Sequence, residues 1–171
     1  MGQTAQKIIK ADKNEIVKIL NEAFCEEWLA YYQYWVGSLV AEGLMRQAVS
    51  KEFMEHAGEE LEHAHKVADR IIQLEGTPVT DPKDWTKHAK CKYAAPTDGD
   101  FAVLLQQNLE GERCAIMRYY ALCEACAHGN DPVTMHLSRH ILDEELEHEQ
   151  DIEDLIDDFE SFKKKFLKKP V

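Results

Sequence analysis

The sequence has no long apolar run, and this absence excludes a membrane-spanning helix. Such a helix needs about 20 consecutive apolar residues, whereas charged residues interrupt every apolar stretch here well before that length. The first 13 residues are mostly polar, and their only apolar pair, Ile8-Ile9, is too short for the core of a secretion signal. We therefore expect a cytoplasmic protein without membrane contact.

Basic residues are scarce relative to acidic ones. The 171 residues include 20 Lys and Arg against 32 Asp and Glu, which gives a formal net charge of −12. Because contact with nucleic-acid phosphates needs clustered positive charge, DNA binding is not expected. The one basic run, Lys163 to Lys169, is interpreted as part of a solvated tail (residues 163–171), with a DNA-contacting tail as the alternative.

Strand patterns are missing, and cysteines are few. No segment alternates apolar and polar residues over any length, which argues against a sheet-based fold. Five cysteines in a presumed cytosolic chain do not make a disulfide framework. The chain is nevertheless long enough to bury a core without that support. We expect one domain over residues 1–171, with a polar arm at residues 1–13.

Helical periodicity is what the sequence does contain. Apolar residues recur every three or four positions, and this pattern predicts four long helices. The predicted helices cover approximately residues 14–42, 49–75 and 100–128 and a last stretch that begins at Pro132. Gly43 and the pair Gly129-Asn130 are typical of helix ends. Asp131 before Pro132 is typical of an N-cap followed by a first-turn proline.

The segment from Gly76 to Gly99 separates the two helix pairs. It holds Pro78, Pro82 and Pro96 and shows no sustained periodicity. So long a segment inside a compact domain needs a structural reason, and a crossover between two helical hairpins supplies one. The predicted fold class is all-α, a four-helix bundle of two antiparallel hairpins joined by a long crossover.

The strongest signal is a repeat of four residues at an offset of 85 positions. The four residues Glu27, Tyr34, Glu60 and His63 recur as Glu112, Tyr119, Glu145 and His148. The interval between the two Glu residues is the same in both copies (60 − 27 = 33 and 145 − 112 = 33). Equal intervals place the Glu residues at matching depths in the two hairpins. Folding one hairpin onto the other therefore brings four carboxylates and two imidazoles to a common centre.

This combination of side chains indicates a metal site. A Glu and a His three residues apart lie on one helical face and can hold one ion, although Glu62 and His65 match that pattern by chance. Glu27 and Glu112 carry more information, because each interrupts an apolar stripe, and a buried carboxylate is costly unless it is paired or binds a metal. Four carboxylates with two imidazoles suit iron or manganese better than zinc.

Six residues are the candidate metal ligands and catalytic residues: Glu27, Glu60, His63, Glu112, Glu145 and His148. Glu60 and Glu145 are expected to bridge two ions, and the other four residues are expected to bind one ion each. Tyr34 and Tyr119 are interpreted as hydrogen-bond donors to the ligand carboxylates, with ordinary core tyrosines as the alternative.

At these residues the chain resembles the ferritin-like superfamily. The segments from Glu27 to Tyr34 (EWLAYYQY) and from Glu60 to Ala64 (ELEHA) look like those of bacterioferritin. The segment from Glu112 to Tyr119 (ERCAIMRY), taken with Cys91, is similar to the Dps-like mini-ferritins called thioferritins. In that family one cysteine precedes the third helix and a second follows its Glu by two positions. The resemblance therefore implies that Cys91 and Cys114 form a disulfide or a redox pair.

The resemblance also implies a function. It suggests a hollow homo-oligomer, expected to be a dodecamer, that oxidises Fe(II) with hydrogen peroxide, stores the ferric product and protects against oxidative stress. Two iron ions per subunit are expected, with manganese as the alternative metal. Leu61 stands where bacterioferritin has its haem-binding Met, so haem is not expected. The carboxyl end is also short for the separate fifth helix of larger ferritin cages.

Other functions stay open at this point. One is a bacterioferritin-like cage of twice the size, or a rubrerythrin-like or manganese-catalase-like enzyme that consumes peroxide without storing mineral. Another is a shell that protects DNA. No rubredoxin-type segment with four metal-binding cysteines is present, which counts against rubrerythrin.

The remaining cysteines and histidines carry weaker signals. Cys123 and Cys126 form a Cys-x-x-Cys pair, but with Cys25 they are interpreted as buried structural residues, a metal or redox role for the pair being the alternative. The spare histidines are interpreted as surface residues or as partners of the ligands. These histidines are His56, His65, His136 and His140.

Overall fold

The computed structural model describes residues 12–129 and 131–167, together with residues 2, 4, 7, 9 and 10. Most of the predicted polar arm, the helix-ending Asn130 and the end of the basic tail (168–171) lie outside the described residues. The described residues form five helices: α1 Lys13–Val40, α2 Arg46–Gln73, the short α3 Trp85–His88, α4 Phe101–Gly129 and α5 Pro132–Phe162. A 3-10 turn, Pro82–Asp84, precedes α3, and a π turn, Lys163–Leu167, follows α5.

The predicted all-α class is confirmed, since the described chain contains four long helices and no strand. Observed helix ends lie within three residues of the predicted ones where both are defined. Gly43 follows α1 with a φ of +95°, a backbone conformation that glycine adopts without strain. None of the helices in this part of the chain is long and apolar enough to cross a membrane.

The start of α5 carries the predicted cap and a contact between the hairpins. Asp131 accepts a hydrogen bond from the backbone N–H of Thr134 at 3.0 Å, as an N-cap does. Its two carboxylate oxygens also accept hydrogen bonds from Arg70 at 2.8 and 2.9 Å. Because both charged residues are buried, this pair fixes the end of α2 against the start of α5.

Two apolar clusters fill the bundle, one towards each end. Leu20 and Ile141 belong to the first cluster, and Phe53 and Ile152 belong to the second. Between the clusters, at the middle of the long helices, lie the polar side chains of the repeat. The apolar ends therefore hold the helices together around a polar centre.

The crossover is held against the outer face of α1. The Asn21 side chain accepts a hydrogen bond from the Val79 N–H at 2.8 Å, and Gln33 accepts one from the Ala94 N–H at 2.8 Å. Between these two points Trp85 of α3 stacks on Trp28, with ring centroids 5.2 Å apart. Helix α3 was not predicted, because this tertiary stacking rather than local periodicity stabilises so short a helix.

Candidate metal centre

The six candidate ligands meet in the middle of the bundle. Helices α1 and α4 each contribute one Glu, whereas α2 and α5 each contribute a Glu and, one turn later, a His. All six are buried, with at most 3% of the surface of any of them exposed to solvent. Burial of four carboxylates at one place is unfavourable unless cations compensate for their charge.

The six side chains form two overlapping groups of four residues. In each group, one ligand atom per residue lies within 4.8 Å of all the others. The first group is Glu27, Glu60, His63 and Glu145, and the second is Glu60, Glu112, Glu145 and His148. Glu60 and Glu145 belong to both groups, which is the arrangement that carboxylates shared between two neighbouring ions require.

Both imidazoles point one nitrogen at the shared carboxylates. His63 Nδ1 lies 3.2 Å from Glu60 Oε2 and 3.2 Å from Glu145 Oε1. His148 Nδ1 lies 3.3 Å from Glu60 Oε1 and 3.8 Å from Glu145 Oε2. The two rings thus face the centre from opposite ends, and the Nδ1 atoms are the ones available to bind an ion.

The outer nitrogen of each imidazole meets a further carboxylate. His63 Nε2 donates to Glu144 at 2.9 Å, and His148 Nε2 donates to Glu59 at 2.7 Å. A carboxylate in this position fixes the orientation of a metal-binding imidazole and makes it a better ligand. Glu59 and Glu144 were not predicted, although the identical segments 59–63 and 144–148, both EELEH, could have indicated them.

The two repeated tyrosines connect the hairpins at the site. Tyr34 donates a hydrogen bond to Glu112, and Tyr119 donates one to Glu27. Burial and the adjacent carboxylates raise the pKa of both phenols well above the usual value. Both phenols therefore keep their protons and act as donors, and each holds a carboxylate of the opposite hairpin.

Unequal protonation relieves the repulsion between the carboxylates. Burial and the neighbouring Glu60 raise the pKa of Glu27 to about 8. Burial, with Glu60 and Glu112 nearby, likewise raises the pKa of Glu145. Burial alone would also raise the pKa of Glu60, but hydrogen bonds from His148 and His63 hold this pKa below its usual range.

The imidazoles supply the positive charge in this arrangement. Burial would lower the pKa of His148, but hydrogen bonds to Glu112 and Glu60 raise it to about 12. The same balance raises the pKa of His63. Even with the protons shared in this way, both oxygens of Glu145 are buried without a hydrogen-bond partner among the described residues. The donor set therefore fits two divalent ions of the iron or manganese class.

A small cavity adjoins the centre on the crossover side. Its volume is about 40 Å³, and its lining includes Glu27, Glu112, Cys91 and Tyr93. A site needs roughly 10–15 Å³ of such space to hold one water molecule. The cavity is thus large enough for a molecule the size of water or hydrogen peroxide beside the carboxylates.

The cysteines fall into two sets. Cys91 on the crossover and Cys114 on α4 form a disulfide, with Cα atoms 5.7 Å apart, as the resemblance implied. Cys25 and Cys126 are free and buried, and burial is the main cause that raises the pKa of each thiol to about 12. Thiols with such a pKa are unreactive near neutral pH, which agrees with the interpretation of Cys25 and Cys126 as structural residues. Cys123 is also free but only half-buried, so its interpretation as a buried residue is wrong.

One spare histidine is not at the surface. His56 is 2% exposed, and its ring stacks on that of His148 with centroids 4.2 Å apart. Burial, and then the charge of His148, lower the pKa of His56. The other spare histidines, His65, His136 and His140, are exposed, as the sequence analysis expected for surface residues.

The chain is similar to several known proteins. Residues 17–162 match the ferritin-like domain family. A solved dodecameric thioferritin, the bacterioferritin-related protein of Bacteroides fragilis, is 51% identical with a TM-score of 0.93, and the match covers 98% of this chain and 100% of that one.

Two other relatives are less similar in sequence. The DNA protection during starvation protein of Pyrococcus furiosus is 33% identical, and the match covers 85% of this chain and 78% of that protein. The bacterioferritin of Rhodobacter capsulatus is 28% identical, and the match covers 78% of each.

Proposed function

The chain belongs to the ferritin-like family, and we propose that it oxidises Fe(II) at the two-metal centre and stores the ferric product in a hollow homo-oligomer. The observation that carries this proposal is the pair of overlapping ligand groups that share Glu60 and Glu145. Two adjacent iron ions can together deliver the two electrons that one peroxide molecule accepts. We propose hydrogen peroxide as the oxidant, with dioxygen as the alternative.

The proposed reaction consumes two protons. Two Fe(II) ions and one hydrogen peroxide take up two protons and give two Fe(III) ions and two water molecules, as the oxygen–oxygen bond breaks. Delivery of both electrons at one site avoids release of a hydroxyl radical, which a one-electron reduction would produce. Binding of Fe(II) also displaces the protons that are held by the imidazoles and by the carboxylates with a raised pKa.

The chain's own residues have distinct parts in this proposal. Glu60 and Glu145 hold the two ions at a fixed separation, and the tyrosine hydroxyls orient the carboxylates that bind only one ion. The cavity beside Glu27 and Glu112 gives the oxidant a place to approach. The apolar clusters on either side keep bulk water away from the centre.

The surface supports assembly into a cage. Large apolar side chains that expose more than half of their surface include Leu39, Leu44, Ile72, Met117 and Tyr120. Exposed apolar surface of this kind is typical of subunit contacts. Because the Bacteroides fragilis relative is described as dodecameric, we propose a dodecamer. We do not extend DNA protection to this chain, because its formal net charge of −12 repels phosphate.

The test compares two double variants in Fe(II) oxidation with peroxide. Glu60→Gln with Glu145→Gln removes both shared carboxylates at constant volume and should slow oxidation by more than about a hundredfold, since even partners of metal ligands contribute 10–100-fold. The matched control is Glu62→Gln with Glu147→Gln, which changes exposed carboxylates of the same two segments and should keep the wild-type rate. Equal rates in both double variants would contradict the assigned centre.

Storage is tested on the same samples. The wild-type oligomer should remain soluble and take up many more than two iron ions per subunit after repeated additions. Saturation at two ions per subunit would contradict storage and favour a peroxide-consuming enzyme of the rubrerythrin or manganese-catalase kind.

A further inference from the structure

His56 is a buried imidazole without a hydrogen-bond partner. Neither of its ring nitrogens has one among the described residues, although the residue is only 2% exposed. The ring cannot turn freely, since it packs edge-on against Tyr34 at 5.2 Å and stacks on His148 at 4.2 Å. A buried polar group left in this condition is costly, so its position requires a reason.

Two carboxylates face the same ring nitrogen. His56 Nε2 lies 3.5 Å from Glu52 Oε1 and 3.6 Å from Asp151 Oδ2. These separations are longer than an ordinary hydrogen bond. They match the ~3.4 Å that separates two ligand atoms when both bind one ion at ~2.1 Å with a tetrahedral angle between them. One ligand atom from each of the three residues lies within 4.8 Å of the others.

The group is also open to a metal ion from solution. The side chain of Asp151 is 51% exposed and that of Glu52 is 26% exposed, whereas His56 forms the buried floor. Water can therefore complete the coordination of an ion held by the three protein atoms. One imidazole nitrogen and carboxylate oxygens suit a divalent transition-metal ion.

The other half of the repeat has no such group. At the offset of 85 positions that relates the two halves, Glu52 corresponds to Leu137, His56 to Ile141, and Asp151 to Lys66. An apolar residue thus replaces two of the three ligands, and a lysine replaces the third. The three-residue group therefore occurs once per subunit, on one side of the duplicated centre.

We propose that Glu52, His56 and Asp151 form a third binding site for a divalent transition-metal ion in each subunit. The site lies beside the His148 end of the two-metal centre and shares no ligand with it. The inference does not depend on oxidation or storage of iron, because it rests on the unpartnered imidazole and its two carboxylates.

The site is tested by titration of the metal-free oligomer with Co(II), followed by calorimetry and visible absorption. The buffer contains no peroxide, so that Co(II) binds without being oxidised. We expect three Co(II) ions per wild-type subunit. Asp151→Asn replaces an exposed carboxylate by an amide of the same size. The variant should keep the two ions of the two-metal centre and bind the third ion at least about tenfold more weakly. Glu52→Gln should have the same effect. The matched control is Asp154→Asn, an exposed carboxylate of the same helix, which should retain three ions.

The outcomes separate this inference from the proposed function. Saturation of the wild-type subunit at two ions, or equal binding by Asp151→Asn and Asp154→Asn, would overturn the third site and leave the two-metal centre intact. A wild-type subunit that binds a single ion, which Asp151→Asn loses, would support the third site and contradict the two-metal centre instead.

Discussion

The two ends of the metal centre have direct ligands of the same residue types. They differ in the residues that surround those ligands. At the His63 end, Glu144 accepts a hydrogen bond from the imidazole and also from Lys66, at 3.4 Å. At the His148 end, Glu59 accepts the corresponding hydrogen bond, but no lysine stands at the position equivalent to Lys66. The duplicated half-sites therefore keep the geometry that binds ions while their surroundings have diverged.

This difference has a consequence for how the two ions are held. The Lys66 ammonium repels a cation that approaches the His63 end, whereas Glu52, Asp151 and Glu59 attract a cation to the His148 end. The two ion positions should thus differ in their exchange with solution, although their direct ligands are the same residue types. The following predictions test this comparison between the His63 end and the His148 end.

The largest effect is expected from the ion pair that stabilises the His63 end of the bundle. Asp131→Ala leaves the buried Arg70 guanidinium without its carboxylate partner and should lower the free energy of unfolding by about 3–5 kcal/mol. Urea denaturation measures this change, with Asp158→Ala, at an exposed position of the same helix, as the control. An equal midpoint for both variants would show that the pair does not stabilise this end.

The same residue gives the pair a defined pH dependence. Burial would raise the pKa of Asp131, but the hydrogen bonds from Thr134 and the charge of Arg70 lower it below its usual value of 3.8. Because the folded-state pKa is the lower one, the stabilisation is complete above the usual value and is lost as pH falls through the lowered value. The stability difference between wild type and Asp131→Ala should therefore shrink only in strong acid.

The next effect concerns the two imidazoles that bind one ion each. His63→Ala and His148→Ala each remove one ligand, and either should slow oxidation by about a hundredfold or more, since both ions must supply an electron. The two variants should differ in the number of Co(II) ions that each subunit retains. His148→Ala should also weaken the neighbouring third site, because His56 loses its stacking partner, whereas His63→Ala should leave that site filled. Identical metal content in the two variants would contradict the difference between the ends.

The smallest effect is expected from the carboxylates behind the imidazoles. Glu59→Gln and Glu144→Gln replace an ion-paired acceptor by an amide and should each weaken Co(II) binding at the adjoining position by about 10–100-fold. Each loss should be confined to its own end of the centre. A loss of both ions in either variant would show that the ends do not act separately.

The arrangement of the six candidate ligands could be predicted from the sequence, because it follows from helical periodicity and from the repeat. Glu27 and Glu112 interrupt apolar stripes, and the offset of 85 positions fixes which residues share a depth in the bundle. The partners Glu59 and Glu144 could have been found from the same repeat, because both EELEH segments begin with them. Their role depends on which way the imidazole rings turn, and periodicity does not determine that orientation.

The features that were not predicted depend on contacts between distant segments. Trp85 becomes helical because it stacks on Trp28, and no pattern within the crossover indicates that contact. His56 was assigned with the spare histidines because its partner Asp151 lies 95 positions further along the chain (151 − 56 = 95). Only the packing of α2 against α5 places that carboxylate beside the ring.

The central claim is that each subunit holds two metal ions that share Glu60 and Glu145. Anomalous diffraction from crystals of the oligomer loaded with Fe(II) under anaerobic conditions tests this claim most directly. The account predicts two iron peaks per subunit in the middle of the bundle, each within bonding distance of both shared carboxylates and each next to one of the two imidazoles, His63 or His148. A single peak in the bundle, or two peaks that contact no common carboxylate, would contradict it.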